Sequence, residues 1–365
     1  MKPATVRRGA IFCVLIDPAH DIAGFVLDWI RALAAKLEHL EVIALEVVDL
    51  AGADLPGNVR VTSLGKEKGF GRLRLLLNSQ RAVNRALSRA DFLLCHMMPV
   101  YALVSAPLCR IRKKPLLLWY THQNLDLKLR LAVRVSDRIV TAAPEAMRVR
   151  TPKKRVLGHG IDTERFRPGP LREEAGPLRV VSVGRLSPVK RLEILVEAAS
   201  FLAAEGRLGD FRFTLVGQPS DEAQAVYVRG IKDDIDRLGL SQAFDFTGTI
   251  PFARVVECYR EADLFVSMQE QRGLDKAVLE AMACGLPVIA ANRSFEPLLG
   301  ELAGQMLYSA HEPEELGARL VEMAALTPAR RRELGLRLRE RVVAQHGLGG
   351  LMDKVVALAD EVTKK

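Results

Sequence analysis

Short apolar runs of strand length alternate with longer stretches of helical periodicity along the whole of this 365-residue chain. No other feature constrains the fold as much, because strands separated by helix-length segments pair in parallel and are covered by helices. Strand-like runs fall at Ile11–Ile16, Glu41–Val48, Val59–Ser63, Asp91–His96, Leu116–Tyr120 and Arg138–Ala142 in the first half. The second half repeats the pattern at Leu178–Val183, Phe213–Val216, Phe244–Thr247, Leu264–Ser267 and Val288–Ala291. Helical stretches, among them Phe25–Leu37 and Gly71–Arg89, lie between these runs. The chain is too long for one ordinary core, so two α/β domains are expected. Pro, Gly and charge gather in RPGPLREEAGPL (Arg167–Leu178), which reads as an exposed connection. The expected division is a first domain over 1–168, a linker over 169–177 and a second domain over 178–344. Residues 345–365 form an amphipathic helix able to cross back to the first domain.

A hydrophobic content of 49% with 27% charged residues is a globular balance. No apolar run reaches the roughly 18 residues of a membrane span, and the N-terminal apolar stretch reads as a first strand rather than a leader. The five cysteines (Cys13, Cys95, Cys109, Cys258, Cys284) are scattered without CxxC spacing, so neither a disulfide framework nor a zinc site is indicated. A reducing cytoplasm fits this usage. The net charge of +9 is unevenly divided: residues 1–170 carry 28 Lys and Arg against 15 Asp and Glu, and the remainder carry 25 against 29. The first-half cations cluster in KEKGFGRLRLLLNSQRAVNRALSR, CRIRKKP, KLRLAVR and RVRTPKKR. Cationic, partly amphipathic segments suit an anionic membrane surface at the inner face of the membrane. Nucleic acid is not expected as a partner, since aromatics are only 5% and no recognition module is present.

Parallel sheets bind ligands beyond the carboxyl ends of their strands. After Leu178–Val183 comes GRLSPVKR, where Gly184 makes a turn and Arg185 and Lys190 follow five residues apart. Both cations could close on one diphosphate; solvated charge beside a turn is the plain alternative. After Leu264–Ser267 comes MQEQRGLDK and then the helical KAVLEAMAC, ended by Gly285 and Pro287. Backbone amides over Gly273, Leu274, Asp275 and Lys276 offer an anion site at this helix entry. Glu280 sits among Ala277, Val278, Leu279, Ala281, Met282 and Ala283, so its carboxylate requires a partner, either a structural cation or ribose hydroxyls.

The run GRLSPVKR, FTLVGQP, FTGTIP, YREADLFVS and VLEAMACGLPVIAAN, in this order, resembles the C-terminal domain of family 4 retaining glycosyltransferases. The resemblance covers the second half. It implies the GT-B fold, two Rossmann-like α/β domains facing each other across a cleft, and transfer of a sugar from a nucleoside-diphosphate-sugar to a hydroxyl acceptor without a metal or a resident cofactor. It further implies that Arg185 and Lys190 bind the donor diphosphate and that Glu280 holds the nucleotide ribose. The acceptor is then a saccharide or lipid-linked saccharide of polysaccharide, lipopolysaccharide or glycolipid synthesis. One position departs from the pattern. The family's first glutamate, eight residues before the second, is replaced by Arg272. Glu270 reaching in, Asp275 taking over the sugar hydroxyls, or Arg272 adding charge at the diphosphate could each compensate, and Asp275 is favoured although it also suits a helix cap.

In the first half, His122 follows Leu116–Tyr120, where the resemblance places a histidine under the donor sugar. His96 and His159 hold weaker strand-end or loop positions. GHGIDTERFRP resembles the family's junction segment with His159 in place of asparagine. The loop DPAHDIAGF lacks the paired glycines of many relatives, and Asp17, His20, Asp21 and Gly24 are the acceptor-side candidates, Asp21 also suiting an N-cap. A nucleotide-sugar epimerase of the same fold and a binding protein without transfer activity are the competing classes.

Overall fold

The computed structural model describes residues 6–18, 20, 24–122, 124–171, 176–270 and 273–364. They form two compact units: one runs up to Asp162 and resumes at His346, and the other spans Thr163–Gln345.

The first unit is built on a seven-stranded parallel sheet of β1 (Arg8–Ile16), β2 (His39–Val47), β3 (Val59–Ser63), β4 (Phe92–His96), β5 (Leu116–Trp119), β6 (Arg138–Thr141) and β7 (Lys154–Val156). The strand order is β3-β2-β1-β4-β5-β6-β7. Six strands lie within two or three residues of the runs expected from sequence, whereas β7 was not among them. At three residues, Lys-Arg-Val, it is too short to show any alternation.

Successive strand residues point to opposite faces, and the core divides accordingly. Ile11, Cys13, Phe92, Leu94, Leu117 and Trp119 belong to one apolar cluster. Ala10, Phe12, Leu93, Cys95, Leu116 and Leu118 belong to the other. The second cluster is covered by α2 (Arg72–Leu87), α3 (Pro99–Ile111) and α4 (Leu127–Val135), which lie side by side in that order. The first is covered by α1 (Phe25–Ala34) and by the last helix of the chain, Leu348–Thr363, whose Leu348, Leu351, Met352, Val355 and Ala359 pack into it.

The second unit holds a five-stranded parallel sheet of β8 (Leu178–Val183), β9 (Phe211–Val216), β10 (Phe244–Gly248), β11 (Leu264–Ser267) and β12 (Val288–Ala290), in the order β10-β9-β8-β11-β12. Its helices are α5 (Leu192–Ala204), α6 (Glu222–Arg237), α7 (Val255–Glu261), α8 (Lys276–Ala283), α9 (Glu296–Leu299), α10 (Ala303–Met306), α11 (Pro313–Ala325) and α12 (Pro328–His346), and Leu348–Thr363 is α13. The division between units falls at Asp162/Thr163, ahead of the Pro- and Gly-rich stretch. The reason is local packing in the second unit. Phe166 is buried with its ring 6.0 Å from both Phe252 and Tyr259, and Arg339 donates to the carbonyls of Thr163 and Phe166 at 3.0 and 2.8 Å. Among the described residues no helix is long and apolar enough to cross a membrane.

Candidate active site

Strand order reverses between β8 and β11 in the second sheet, as it does between β1 and β4 in the first, and such a switch point opens a crevice at the strands' carboxyl ends. The two segments singled out after Leu178–Val183 and Leu264–Ser267 therefore meet at one edge. Gly184 follows β8 with φ +136°, and a Cβ there would fall 2.8 Å from Lys190 Cε, so the absent side chain is what lets the lysine fold back over the turn. Gly217, with φ +132°, ends β9 beside it, and a Cβ on that residue would strike the Gly184 carbonyl oxygen at 2.1 Å.

Lys190 Nζ lies 2.7 Å from Asp275 Oδ2, with both side chains only about 15% exposed. The other oxygen of Asp275 accepts from the Ala277 amide at 3.1 Å, so the residue caps α8 and anchors the lysine at once. Arg185 is exposed and makes no side-chain hydrogen bond or ion pair among the described residues. Arg191, held at φ +51° where α5 begins, pairs with Glu270 and donates to the Ala310 carbonyl. Glu270 is thus engaged with Arg191 and lies 3.7 Å from the His311 ring.

At the helix entry Gly273 takes φ +105°, its carbonyl accepting from Asn292 Nδ2 at 2.7 Å and its amide donating to Ser294 Oγ at 3.3 Å. One of the amides expected to bind an anion, that of Gly273, is therefore already occupied, and the Ala277 amide just past the expected stretch is taken by Asp275. Leu274 is partly exposed beside them. Lys276 reaches Glu280 Oε1 at 3.7 Å across one helical turn. Glu280 is 6% exposed and accepts from the Tyr259 hydroxyl at 3.1 Å. Burial pushes its carboxyl above the usual glutamate range even though Lys276 and Tyr259 favour the charged form, and the Tyr259 hydroxyl is pushed well up as well. Tyr259, Asn292 and Ser294 were not singled out from sequence, since nothing local marks their long-range partners. Arg272 lies outside the described residues, as does Asp21.

In the first unit His122 is exposed, 6.4 Å ring to ring from Tyr120, whose hydroxyl donates to the Asn124 carbonyl at 3.2 Å. His96, at the end of β4, is instead buried against Trp29, which also meets Trp119 edge-on. The amide of His159 donates to His346 Nδ1 at 3.1 Å. Asp17 and His20 follow β1 in a turn whose backbone bonds run on to Gly24, and Gly24 is the N-cap residue of α1. Next to His96, Met97 holds φ +64°, an uncommon conformation for a residue with a side chain, and Thr121 Oγ1 donates to its sulfur at 3.3 Å.

An ion pair between Lys190 and Asp275, a capped helix entry and a buried carboxylate are gathered at the switch point. Residues 177–325 match the family Glycosyl transferases group 1. The matched stretch runs from β8 to the end of α11 and contains every second-unit candidate from Gly184 to Glu280. A D-inositol 3-phosphate glycosyltransferase of Acidothermus cellulolyticus is 36% identical over 148 residues, 38% of this chain and 32% of that protein. A putative colanic acid biosynthesis glycosyltransferase of Salmonella typhimurium is 28% identical over 242 residues, covering 64% of this chain and 57% of the relative. The chain thus spans between about a third and three-fifths of these relatives. Among solved structures, Anabaena HepE in complex with UDP and glucose superimposes with a TM-score of 0.72 at 19% identity over 95% of this chain and 98% of that one. A glycosyltransferase from Rickettsia africae gives 0.73 at 14% identity, over 98% and 99%. Likeness at this identity carries the fold, and the fold is GT-B.

Proposed function

We propose that this protein is a glycosyltransferase that moves a sugar from a nucleoside-diphosphate-sugar to a hydroxyl acceptor, with retention and without a divalent metal, in polysaccharide or glycolipid synthesis. The observation that carries the reading is the Lys190–Asp275 pair and the buried Glu280 at the switch point, with Arg185 on the Gly184 turn beside them, inside the stretch that matches the group 1 family. The named relatives are transferases, which favours this class over an epimerase or an inert binding protein.

In the proposed reaction the bond from the anomeric carbon to the diphosphate oxygen breaks, and the acceptor oxygen bonds to that carbon on the same face. The acceptor proton passes to the departing phosphate. Arg185 and Lys190 stabilise the charge that grows on the diphosphate. Glu280, already aligned by Tyr259, accepts from the ribose, and His122 meets the donor sugar. Asp275 takes part by exchange. Its Oδ2 is held by Lys190, so a diphosphate that draws Lys190 away releases that oxygen for the sugar hydroxyls left without the family's first glutamate. Asp17, His20, Asp21 and Gly24 are assigned to the acceptor.

Incubation with UDP-, GDP- and dTDP-sugars, starting with UDP-glucose because HepE is solved with UDP and glucose, tests the reading. Slow donor hydrolysis that persists in EDTA is expected, and Arg185→Ala or Glu280→Gln abolishes it while the fold survives. Sugar isomerisation without an acceptor, or near-normal turnover in either variant, would overturn the assignment.

A further inference from the structure

The carboxyl ends of the second sheet carry the candidate site. The amino ends of the same strands border a cleft of about 620 Å³ that the proposed chemistry does not use. Its walls come from four parts of the second unit: the approach to β8, the stretch from Arg207 to Arg212 that leads into β9, Asp263 ahead of β11, and the connection from α11 to α12. A volume of this size suits a small molecule rather than a single ion. Four arginines line it, Arg179, Arg207, Arg212 and Arg331, against two aspartates, Asp210 and Asp263.

Both aspartates are already matched. Asp263 takes the Arg179 guanidinium through two bonds, at 2.7 and 3.0 Å, and also accepts from the Arg179 amide at 3.0 Å. Asp210 pairs with Arg207 at 3.2 Å. That leaves Arg212 and Arg331, neither of which pairs with an acid among the described residues. Arg212 is exposed and rests Nη1 on the Phe211 carbonyl at 2.9 Å. Arg331 is half-buried and donates Nη1 to the carbonyls of Met323 and Leu326 at 3.1 and 2.5 Å, which offsets the negative pole at the carboxyl end of α11. The Nε and Nη2 groups of both arginines make no hydrogen bond among the described residues. Burial pulls the Arg331 guanidinium below the ordinary arginine range; Asp263 opposes this, and the Arg179 charge adds to it. The amino end of α12, a 19-residue helix whose Pro328 lines the cleft, brings a further positive pole.

We propose that this cleft binds the phosphate group of a small molecule, with Arg212 and Arg331 closing on the phosphate oxygens. Two cations without acids match a phosphate monoester, which carries close to two negative charges near neutral pH and offers three acceptor oxygens to the unbonded guanidinium edges. A single carboxylate brings one charge and two oxygens, so it leaves one arginine unanswered. The Arg207–Asp210 pair, at the exposed mouth, supplies both a donor and an acceptor for polar groups on the rest of such a molecule. The cleft lies at the opposite strand ends from Lys190, so the inference stands or falls separately from the sugar chemistry.

Calorimetric titration of the full chain with inorganic phosphate, glucose 6-phosphate, glycerol 3-phosphate and succinate tests it. Saturable binding of phosphate compounds is expected, well ahead of succinate, and it persists in Lys190→Ala, which disables the anion site at the other strand ends. A monoester that binds more tightly than inorganic phosphate identifies an organic ligand, and equal affinities identify free phosphate; both outcomes support the site. Arg212→Gln lowers the affinity about tenfold or more, as one charge-assisted contact is lost. Asp210→Asn raises it several-fold, because it frees Arg207 and removes a repelling charge, an effect that local unfolding would not produce. Arg212 and Asp210 are exposed, so far-UV circular dichroism and melting temperature stay at wild-type values in both variants. The proposal is overturned by loss of binding in Lys190→Ala, by affinities unchanged in both Arg212→Gln and Asp210→Asn, by succinate binding as tightly as the phosphates, or by no heat with any of them.

Discussion

Cations at the switch point of the second sheet and cations on the α2–α4 layer are the same residue types in opposite situations. Lys190 is mostly buried and tied to Asp275, and Arg191 is tied to Glu270. On the helical layer no acid lies within any of the three helices, and the arginines stand in solvent beside leucines. The contrast shows what burial and partners do to a charge. A held cation in a low-dielectric edge is preorganised for one anion in one geometry, whereas free cations in water give a diffuse field that salt screens.

The largest effect is expected from breaking the held side of this contrast. Lys190→Ala removes a positioned charge from the diphosphate and should lower single-turnover transfer about 100- to 1,000-fold, with the melting temperature nearly unchanged. A loss comparable to that of a surface arginine would mean the two sets of cations are not different in kind. Asp275→Asn sharpens the comparison, because asparagine still caps α8 but no longer carries the charge that holds Lys190. Its expected signature is a split: UDP binds several-fold more tightly by calorimetry while kcat falls about tenfold, as the freed lysine gains and the sugar end loses. A purely structural role for Asp275 would instead lower the melting temperature and leave that split absent.

The smallest effect concerns the buried carboxylate between these extremes. Burial raises the folded-state pKa of Glu280 above its unfolded value, so its contribution to stability is present below about pH 4.5 and lost as pH rises through the folded value. Glu280→Gln, which can still accept from Tyr259, should therefore melt a few degrees higher than wild type at pH 7–8, with the difference vanishing toward pH 4. If wild type is the more stable at neutral pH, the carboxylate is a structural ion pair and its place in the site is wrong.

Much of the fold could be read along the chain, because parallel strands buried on both faces are apolar runs in a polar sequence. Leu178–Val183 and Leu264–Ser267 appear in the structure with the same limits, and the site-bearing segments follow them directly. Gly184, Lys190, Asp275 and Glu280 were visible as residues of the right chemistry just beyond strand ends. Their partners were not. The pairing of Lys190 with Asp275 spans 85 positions, and the bonds that Gly273 accepts from Asn292 and donates to Ser294 join the segments that follow β11 and β12. No local period of two or 3.6 encodes such contacts. The capping role of Asp275 was visible, being local; its hold on the lysine was not.

By itself the sequence determined that strands and helices alternate, that the sheets are parallel, and that cations and one apolar-flanked carboxylate lie at strand ends, since each follows from neighbouring residues. Only the tertiary structure decided which charges are held and which are free, that α13 covers the first unit's sheet, and that α2, α3 and α4, none of which carries an acid, lie side by side. These outcomes depend on strand order and helix placement, which bring distant residues within a few ångströms of each other and set how much water each charge keeps.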